Sequence, residues 1–579
     1  MRVTRIALAQ MNPVVGDLPG NADAIRALIA RARDEGCDIV AFPELAVTGY
    51  PPEDLLLRRS FCEASRETLA ALVEATEGII AVVGFVDWRN GEARNAAAVL
   101  ADGRWVDTYD KVRLPNYGVF DEERYFAAGY RAPVYRAGSL RFGVGICEDI
   151  WYPGFPLDAI ALGGAELYIN INASPYHVDR RAGRERMLAT RANDNLVTVA
   201  YLNMVGGQDE LVFDGGSVVF DASAEPLARA GQFAEELLVC DVDLDAVAQR
   251  RLHEPRWRNE RRAREIDEVD EIIDVGLPLA CDRQGPLRGV ISEPMATPEE
   301  VWNALVTATR DYIQKSGFRE ALIGLSGGLD SAVVATIAAD AVGADAVTGV
   351  AMPSRFSSDH SLDDARQLAA NLGIRFLTIP IEPAHAAMLD MLASAFEGTE
   401  EGTAEENLQS RQRGNVLMTL SNKFGALVLA TGNKSEMATG YATLYGDMAG
   451  GYAVIKDVPK TLVYDIARWR NESEGRERIP ERTITKPPSA ELKPDQLDVD
   501  SLPDYSILDP ILRAYVEDDR TFDEIVSAGF EPDVVRRVIR LVDRNEYKRR
   551  QAPPGVKITP RAFGRDRRLP LTNRFNGTS

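Results

Sequence analysis

The sequence predicts an α/β protein made of two unlike halves, the second a doubly wound parallel sheet. Three observations carry this. Short, very apolar segments alternate with helical stretches up to about residue 247. A separate strand–helix rhythm starts near Glu293. A chain of 579 residues also exceeds one ordinary core, so at least two domains are expected.

In chain order, RIALAQ reads as a first strand and ADAIRALIARARDEG as an amphipathic helix ending at Gly36. CDIVAFPEL, GIIAVVGFV, AAAVLAD, GVGICED, ELYININ and LVTVAYLNM continue the strands, giving a sheet-rich α/β layer. The pattern fades after DVDLDAV. A charged run from Gln249 to about Asp274 reads as an exposed linker helix or strand, so the expected domains are 1–247 and 291–579, joined by 248–290. TPEEVWNALVTATRDYIQKSG is a helix with Thr297 as its N-cap. EALIGL, AVTGVAMPS, FLTIPIE and GALVLATGN are strands in the βαβ rhythm of a parallel sheet, which places ligands at the carboxyl ends of its strands. After about residue 465 the chain turns helical. Its basic end, KITPRAFGRDRRLPLTNRF, reads as a subunit contact or a disordered end.

Composition excludes several classes. A net charge of -22 argues against a general nucleic-acid or anionic-membrane surface. Five scattered cysteines without a CxxC pair suggest neither a disulfide scaffold nor a zinc site. There is no apolar run of about 18 residues, and the first residues read as a strand rather than a leader. A cytoplasmic location is expected.

The turn between EALIGL and SAVVATIAADAVG is Gly324, Leu325, Ser326, Gly327, Gly328, Leu329, Asp330 and Ser331. It lacks the lysine of a Walker A loop. Glycine permits close backbone approach, and a helix N-terminus behind it favours an anion. Hydroxyls and N–H groups suit phosphate, and a carboxylate beside phosphate calls for a bridging cation such as Mg²⁺. SGGLDS resembles the signature of the ATP pyrophosphatases, which cleave ATP between the α- and β-phosphates and adenylate a substrate oxygen. The stretch Ala404–Tyr464 and KPPSAEL, Lys486–Leu492, resemble the NAD synthetases. That resemblance implies that Thr431, Lys460 and Ser489 bind ATP with the 324–331 loop. It implies that Asp330 and Glu436 bind Mg²⁺, and that Asn407, Arg411, Glu436 and Lys548 bind deamido-NAD.

In the first half, Glu44 ends DIVAFPEL, Lys111 lies in YDKVRLPNYG and Cys147 in FGVGICEDIW. A lone buried cysteine is more often packing. Here a carboxylate to take the thiol proton and an ammonium to steady an oxyanion accompany it, all near strand ends. No histidine is placed for a Cys–His pair. The set, within FPELAVTGYP, YDKVRLPNYGVFDEERYF and GVGICEDIW, resembles the nitrilase (carbon–nitrogen hydrolase) family. That implies an N-terminal α-β-β-α sandwich, with Glu44 as base, Lys111 as oxyanion stabiliser and Cys147 as nucleophile. It also implies Tyr117, Ser174 and Arg180 as glutamine-binding residues, with Arg181 and Arg184 leaving the arginine assignment open.

A nitrilase-like glutaminase fused to such a synthetase is the arrangement of the glutamine-dependent NAD synthetases. The resemblance implies a ligase of NAD biosynthesis that amidates deamido-NAD through an adenylate, using ammonia from glutamine and releasing AMP, pyrophosphate and glutamate. It further implies an ammonia channel and a homo-octamer. Two rivals remain open: another ATP-pyrophosphatase-type amidotransferase, and a nitrilase-type amidase whose second domain senses nucleotide. Pyrophosphate release separates the last of these, because a sensor makes none.

Overall fold

The computed structural model describes residues 2–263, 272–279, 288–489, 491–493, 498–575 and 577. The chain divides into two compact units. One holds Met1–Gln208 and Phe213–Met295, the other Asp209–Val212 and Ala296–Ser579.

The first unit contains two large sheets. The six-stranded sheet uses β1 (Val3–Gln10), β2 (Ile39–Ala41), β3 (Ile80–Arg89), β4 (Glu92–Ala101), β5 (Arg104–Asp110) and β14 (Glu236–Asp243), in the order β14-β1-β2-β3-β4-β5. The seven-stranded sheet uses β6 (Val134–Ala137), β7 (Leu140–Ile146), β8 (Leu167–Asn172), β9 (Thr198–Asn203), β12 (Val218–Phe220), β13 (Pro226–Arg229) and β15 (Ile272–Asp274), in the order β13-β12-β9-β8-β7-β6-β15. A hairpin, β10 (Val205–Gln208) and β11 (Leu211–Asp214), completes the strands before residue 295.

Alternation along each strand builds the layers. Ile6 and Leu8 of β1 pack with Val144, Ile146 and Ile169 of the other sheet. Ala7 and Ala9, facing the opposite way, pack with Ile25 and Ile29 of the helix Leu18–Asp34. On the far side, Tyr168 and Val199 pack with Ile160 and Leu188, from helices Leu157–Leu162 and Arg180–Asn195. Both faces of both sheets are covered, which is why these strands read as continuous apolar runs. The result is the expected α-β-β-α sandwich.

The second unit holds five strands, β16 (Ala321–Gly324), β17 (Val347–Ala351), β18 (Arg375–Thr378), β19 (Leu427–Ala430) and β20 (Tyr452–Ala453). All pairs are parallel, in the order β18-β17-β16-β19-β20. The chain leaves β16 toward β17 on one side and returns to β19 on the other. The carboxyl end of β16 is therefore a topological switch point, where open α/β sheets bind ligands. β20 has only two residues, too few for periodicity to reveal.

Three expectations need correction. The 248–290 stretch is not a free linker: the segments within it that are described belong to the first unit. Arg251, in the helix Leu244–His253, is buried and donates to the carbonyls of Leu196 and Ala165. β15 adds to the open edge of β6 in parallel register, Ile272 opposite Val134. Charged composition hid the burial of Arg251, because a guanidinium can cap backbone carbonyls as well as face water. Thr297 is the first helical residue rather than the cap. The helix Thr297–Lys315 starts from Ala296 with no side-chain cap, and proline occupies its first turn. At its start the basic end packs into its own unit instead of being disordered. Val556 and Ile558 are buried, and Asp457 accepts from the N–H groups of Ile558 and Thr559. Among the described residues, no helix is long and apolar enough to cross a membrane.

Candidate active sites

Glu44 lies three residues past β2, in a tight turn over β3. Gly84 makes this approach possible, since a Cβ there would lie 2.1 Å from the Pro43 carbonyl oxygen. Glu44 is fully buried. Its Oε1 accepts from Lys111 Nζ and Asn95 Nδ2, both at 2.7 Å, and its Oε2 from Ala173 N–H at 3.0 Å. Lys111 follows the last residue of β5 and is fully buried as well. Its ammonium is shared with Glu122, 2.8 Å away, and Tyr50 OH also donates to Glu122, at 3.1 Å. Burial works to discharge Lys111, but Glu122 and Glu44 outweigh it and hold its pKa well above the ordinary lysine value.

Cys147 directly follows β7 and opens the short turn Cys147–Ile150 with φ +44, a left-handed conformation rare for a side chain of its kind. Such strain persists where the surroundings over-determine it, as at reactive sites. Burial, and then the charge of Glu44, push its thiol pKa well up, while Lys111 pulls it down. The resting group is therefore a thiol, and the nucleophile needs a base at the moment of attack. Glu44, Lys111, Glu122 and Glu148 all act electrostatically on this sulfur, so the structure gathers the three sequence-predicted residues into one group.

Glu122 and Asn95 are members of that group which sequence reasoning did not single out. Glu122 lay inside YDKVRLPNYGVFDEERYF among other acids, with nothing to distinguish it. Asn95 left a signal: a buried-strand amide directly before the apolar run Ala96–Ala101.

Tyr117, Ser174 and Arg180 lie around the same group. Tyr117 is half exposed and donates to Glu148 at 2.8 Å. Ser174 is buried just past β8, next to the Ala173 amide that holds Glu44. Arg180 opens the helix Arg180–Asn195 and lies over the Trp151 ring at 4.1 Å. Its neighbours are committed elsewhere, Arg184 to Asp214 in a fully buried pair and Arg181 to Glu185. Arg180 has no ion pair among the described residues.

In the second unit, the loop Gly324–Ser331 runs from the end of β16 into the helix Leu329–Val342. Its hydroxyls knit it together: Ser331 donates to the Gly328 carbonyl at 3.0 Å, and Gly328 N–H to Ser326 Oγ at 3.2 Å. Gly327 has φ +77, and a Cβ there would lie 2.3 Å from the Ser361 carbonyl oxygen. Asp330, in the first turn of that helix, pairs with Lys460 through Oδ2, while its buried Oδ1 has no partner among the described residues. Burial, and then the Asp330 charge, raise the Glu436 carboxyl far above its usual range, and Lys460 only partly offsets this. Two interacting carboxylates, one with an oxygen that has no partner among the described residues, suit a divalent cation that also binds phosphate. Asp498, a further buried carboxylate missed in the sequence, lies close enough to raise Glu436 too and accepts from Tyr505 OH at 2.9 Å.

Thr431 follows β19, which lies parallel beside β16, so it stands at the same edge of the sheet. Ser489 accepts from Glu491 N–H at 3.1 Å, and Glu491 accepts from Ser361 OH at 2.6 Å. KPPSAEL is thereby tied to the residue against which Gly327 packs. The other sequence-predicted residues converge on the segment from Gly440 to Asp447. Lys548 Nζ donates to the carbonyls of Gly440 and Ala442, at 2.7 and 2.9 Å. Arg411 Nε donates to the Leu444 carbonyl, and Asn407 accepts from Thr443 OH at 2.8 Å.

Comparison with known proteins places both halves. The carbon–nitrogen hydrolase family matches residues 5–252, and the NAD synthase family matches residues 301–552. A protein of Thermotoga maritima named glutamine-dependent NAD(+) synthetase is 49% identical over 578 residues, covering 99% of both chains. One of the same name from Aquifex aeolicus is 46% identical, covering 98% of this chain and 99% of its own. The solved structure of the glutamine-dependent NAD+ synthetase of Acinetobacter baumannii, in complex with ADP, is 39% identical. It superposes with a TM-score of 0.74, covering 100% of this chain and 99% of its own.

Proposed function

The chain belongs to the glutamine-dependent NAD(+) synthetase family, and we propose how its residues divide that family's work. It is a ligase that forms a C–N bond, converting deamido-NAD to NAD with ATP and with glutamine as nitrogen donor.

In the first unit, Cys147 Sγ attacks the glutamine amide carbon while Glu44 accepts the thiol proton. Lys111 stabilises the tetrahedral oxyanion. Glu44 returns the proton to the departing nitrogen, so ammonia leaves and a thioester remains. Water, activated by Glu44, then releases glutamate and restores the thiol. What carries this reading is the buried Glu44–Lys111–Glu122 cluster, whose charges act on Cys147. At the entrance, Arg180 pairs with the glutamine α-carboxylate and Glu148 beside Tyr117 faces its ammonium. Ser174 supplies a further hydrogen bond. A zwitterion needs both charge signs.

In the second unit, the loop Gly324–Ser331 cradles the ATP phosphates, with Lys460 and Ser489 beside it and Thr431 toward the nucleoside. Asn407, Arg411, Glu436 and Lys548 hold deamido-NAD. The nicotinate carboxylate oxygen attacks the α-phosphorus and pyrophosphate leaves. Ammonia then attacks the adenylate carbonyl and AMP departs. Mg²⁺, held by Asp330 and Glu436, would neutralise charge on the phosphates. Ammonia is mostly protonated in water near neutral pH, which favours a sheltered channel over release to solvent. A homo-octamer and a cytoplasmic location complete the reading, on family resemblance.

The test is NAD formation from deamido-NAD, ATP and Mg²⁺ with either glutamine or an ammonium salt, following AMP and pyrophosphate. Cys147→Ala is expected to abolish the glutamine-driven reaction and to leave the ammonium-driven one. Equal loss with both donors would sink the two-site division.

A further inference from the structure

The acid that follows the Cys147–Glu148 pair has no part in the chemistry above. Asp149 is nonetheless fully buried and accepts four hydrogen bonds. Its Oδ1 takes the N–H groups of Val112 and Arg113, at 3.0 and 2.8 Å, the two residues that follow Lys111. Its Oδ2 takes Ile146 N–H at 3.0 Å, from the residue that precedes Cys147. The same oxygen takes Tyr109 OH at 2.7 Å, from two residues before Lys111. One carboxylate thus ties the chain on both sides of the lysine to the turn that carries the thiol.

The chemical type matters as much as the position. All four partners are donors, and a carboxylate accepts at both oxygens. An amide of the same shape accepts at one end only and would set its own N–H groups against a backbone N–H. Leaving a buried donor unpaired is costly, so the segment would shift instead. The Lys111 ammonium and the Cys147 sulfur lie on different elements, and their relative placement decides whether the oxyanion forms within reach of the charge.

We propose that Asp149 is a positioning residue for glutamine hydrolysis, holding Lys111 and Cys147 in register by joining the segments that bear them. This rests on the assignment of those two residues to that reaction.

The experiment uses the full chain with Asp149→Asn, Tyr109→Phe and Cys147→Ala, measuring kcat and KM for glutamine and the ammonium-driven rate. Asp149→Asn is expected to lower kcat with glutamine about 10²-fold, the scale of a misplacement of about 1 Å. KM for glutamine and the ammonium-driven rate stay at wild-type values. Tyr109→Phe, which removes one donor of four, lowers kcat less. Wild-type kcat with glutamine in Asp149→Asn would overturn the proposal, as would an ammonium-driven rate that falls in step, which marks a merely structural role. If Asp149→Asn does not fold, wild-type kcat in Tyr109→Phe overturns it. Retention of glutamine-driven synthesis in Cys147→Ala would instead overturn the underlying site assignment.

Discussion

An ammonium between two buried carboxylates leaves one negative charge in excess, and that excess has a thermodynamic signature. Burial is the main cause that raises Glu122 above its ordinary 4.5, with Lys111 opposing it. The folded chain then retains a proton which the unfolded chain has released. The corresponding stability is present in full below 4.5 and is lost as pH rises through the raised value. Glu122→Gln removes this titration. The stability of the variant relative to wild type should therefore increase with pH across that window, by up to ~1.4 kcal/mol per pH unit. Denaturant midpoints measured at several pH values check this, and parallel profiles for the two proteins would refute it. The sequence offered no route to Glu122, because an acid eleven positions from Lys111 pairs with it only once the chain folds back. Cys147 was legible, since the thiol, its apolar strand and the acids after it are contiguous.

At the scale of elements, the ends of strands decide the chemistry. The loop after β16 was readable as a candidate phosphate-binding turn because glycine, hydroxyl and carboxylate occur in one short run. The need for glycine at one particular place in it was not readable. Gly327 combines positive φ with a backbone neighbour that a methyl group would strike. Gly327→Ala should cost about 1–2 kcal/mol for the backbone conformation alone. The Ser361 carbonyl must also move. ATP-dependent NAD formation is expected to fall by at least about tenfold with either donor, read as a loss of pyrophosphate release. A variant with wild-type pyrophosphate release would show that the loop does not approach ATP. Cap placement at Thr297 and the two-residue β20 escaped sequence reading for a common reason. Local propensity sets where an element can form, while packing sets where it stops.

For the whole molecule, two chemistries on one chain predict separable losses. In the proposed scheme glutamine hydrolysis uses a thiol, a base and an ammonium, and adenylation uses a phosphate cradle and a cation between carboxylates. Asp330→Ala removes one of the two carboxylates proposed to hold that cation. NAD formation should fall at least about 10²-fold with both glutamine and ammonium. Ammonium-driven synthesis at the wild-type rate would refute the proposed Mg²⁺ assignment. A net charge of -22 is compatible with anionic substrates because cations such as Lys460 and Lys548 are placed locally.

By itself the sequence determined the two fold classes, and it offered the Glu44–Lys111–Cys147 set and the SGGLDS loop as candidate sites. Each rests on contiguous residues or on strand ends that periodicity can locate. Only the tertiary structure decided which of three neighbouring arginines lies without an ion pair among the described residues. It also drew the Ile272–Asp274 strand into a sheet, buried the chain around Ile558, and brought Glu122 and Asp149 to the group that holds Glu44, Lys111 and Cys147. Those outcomes depend on pairings between residues far apart in the chain, where register and packing choose the partner. A shift of one residue in a strand would turn each side chain to the other face.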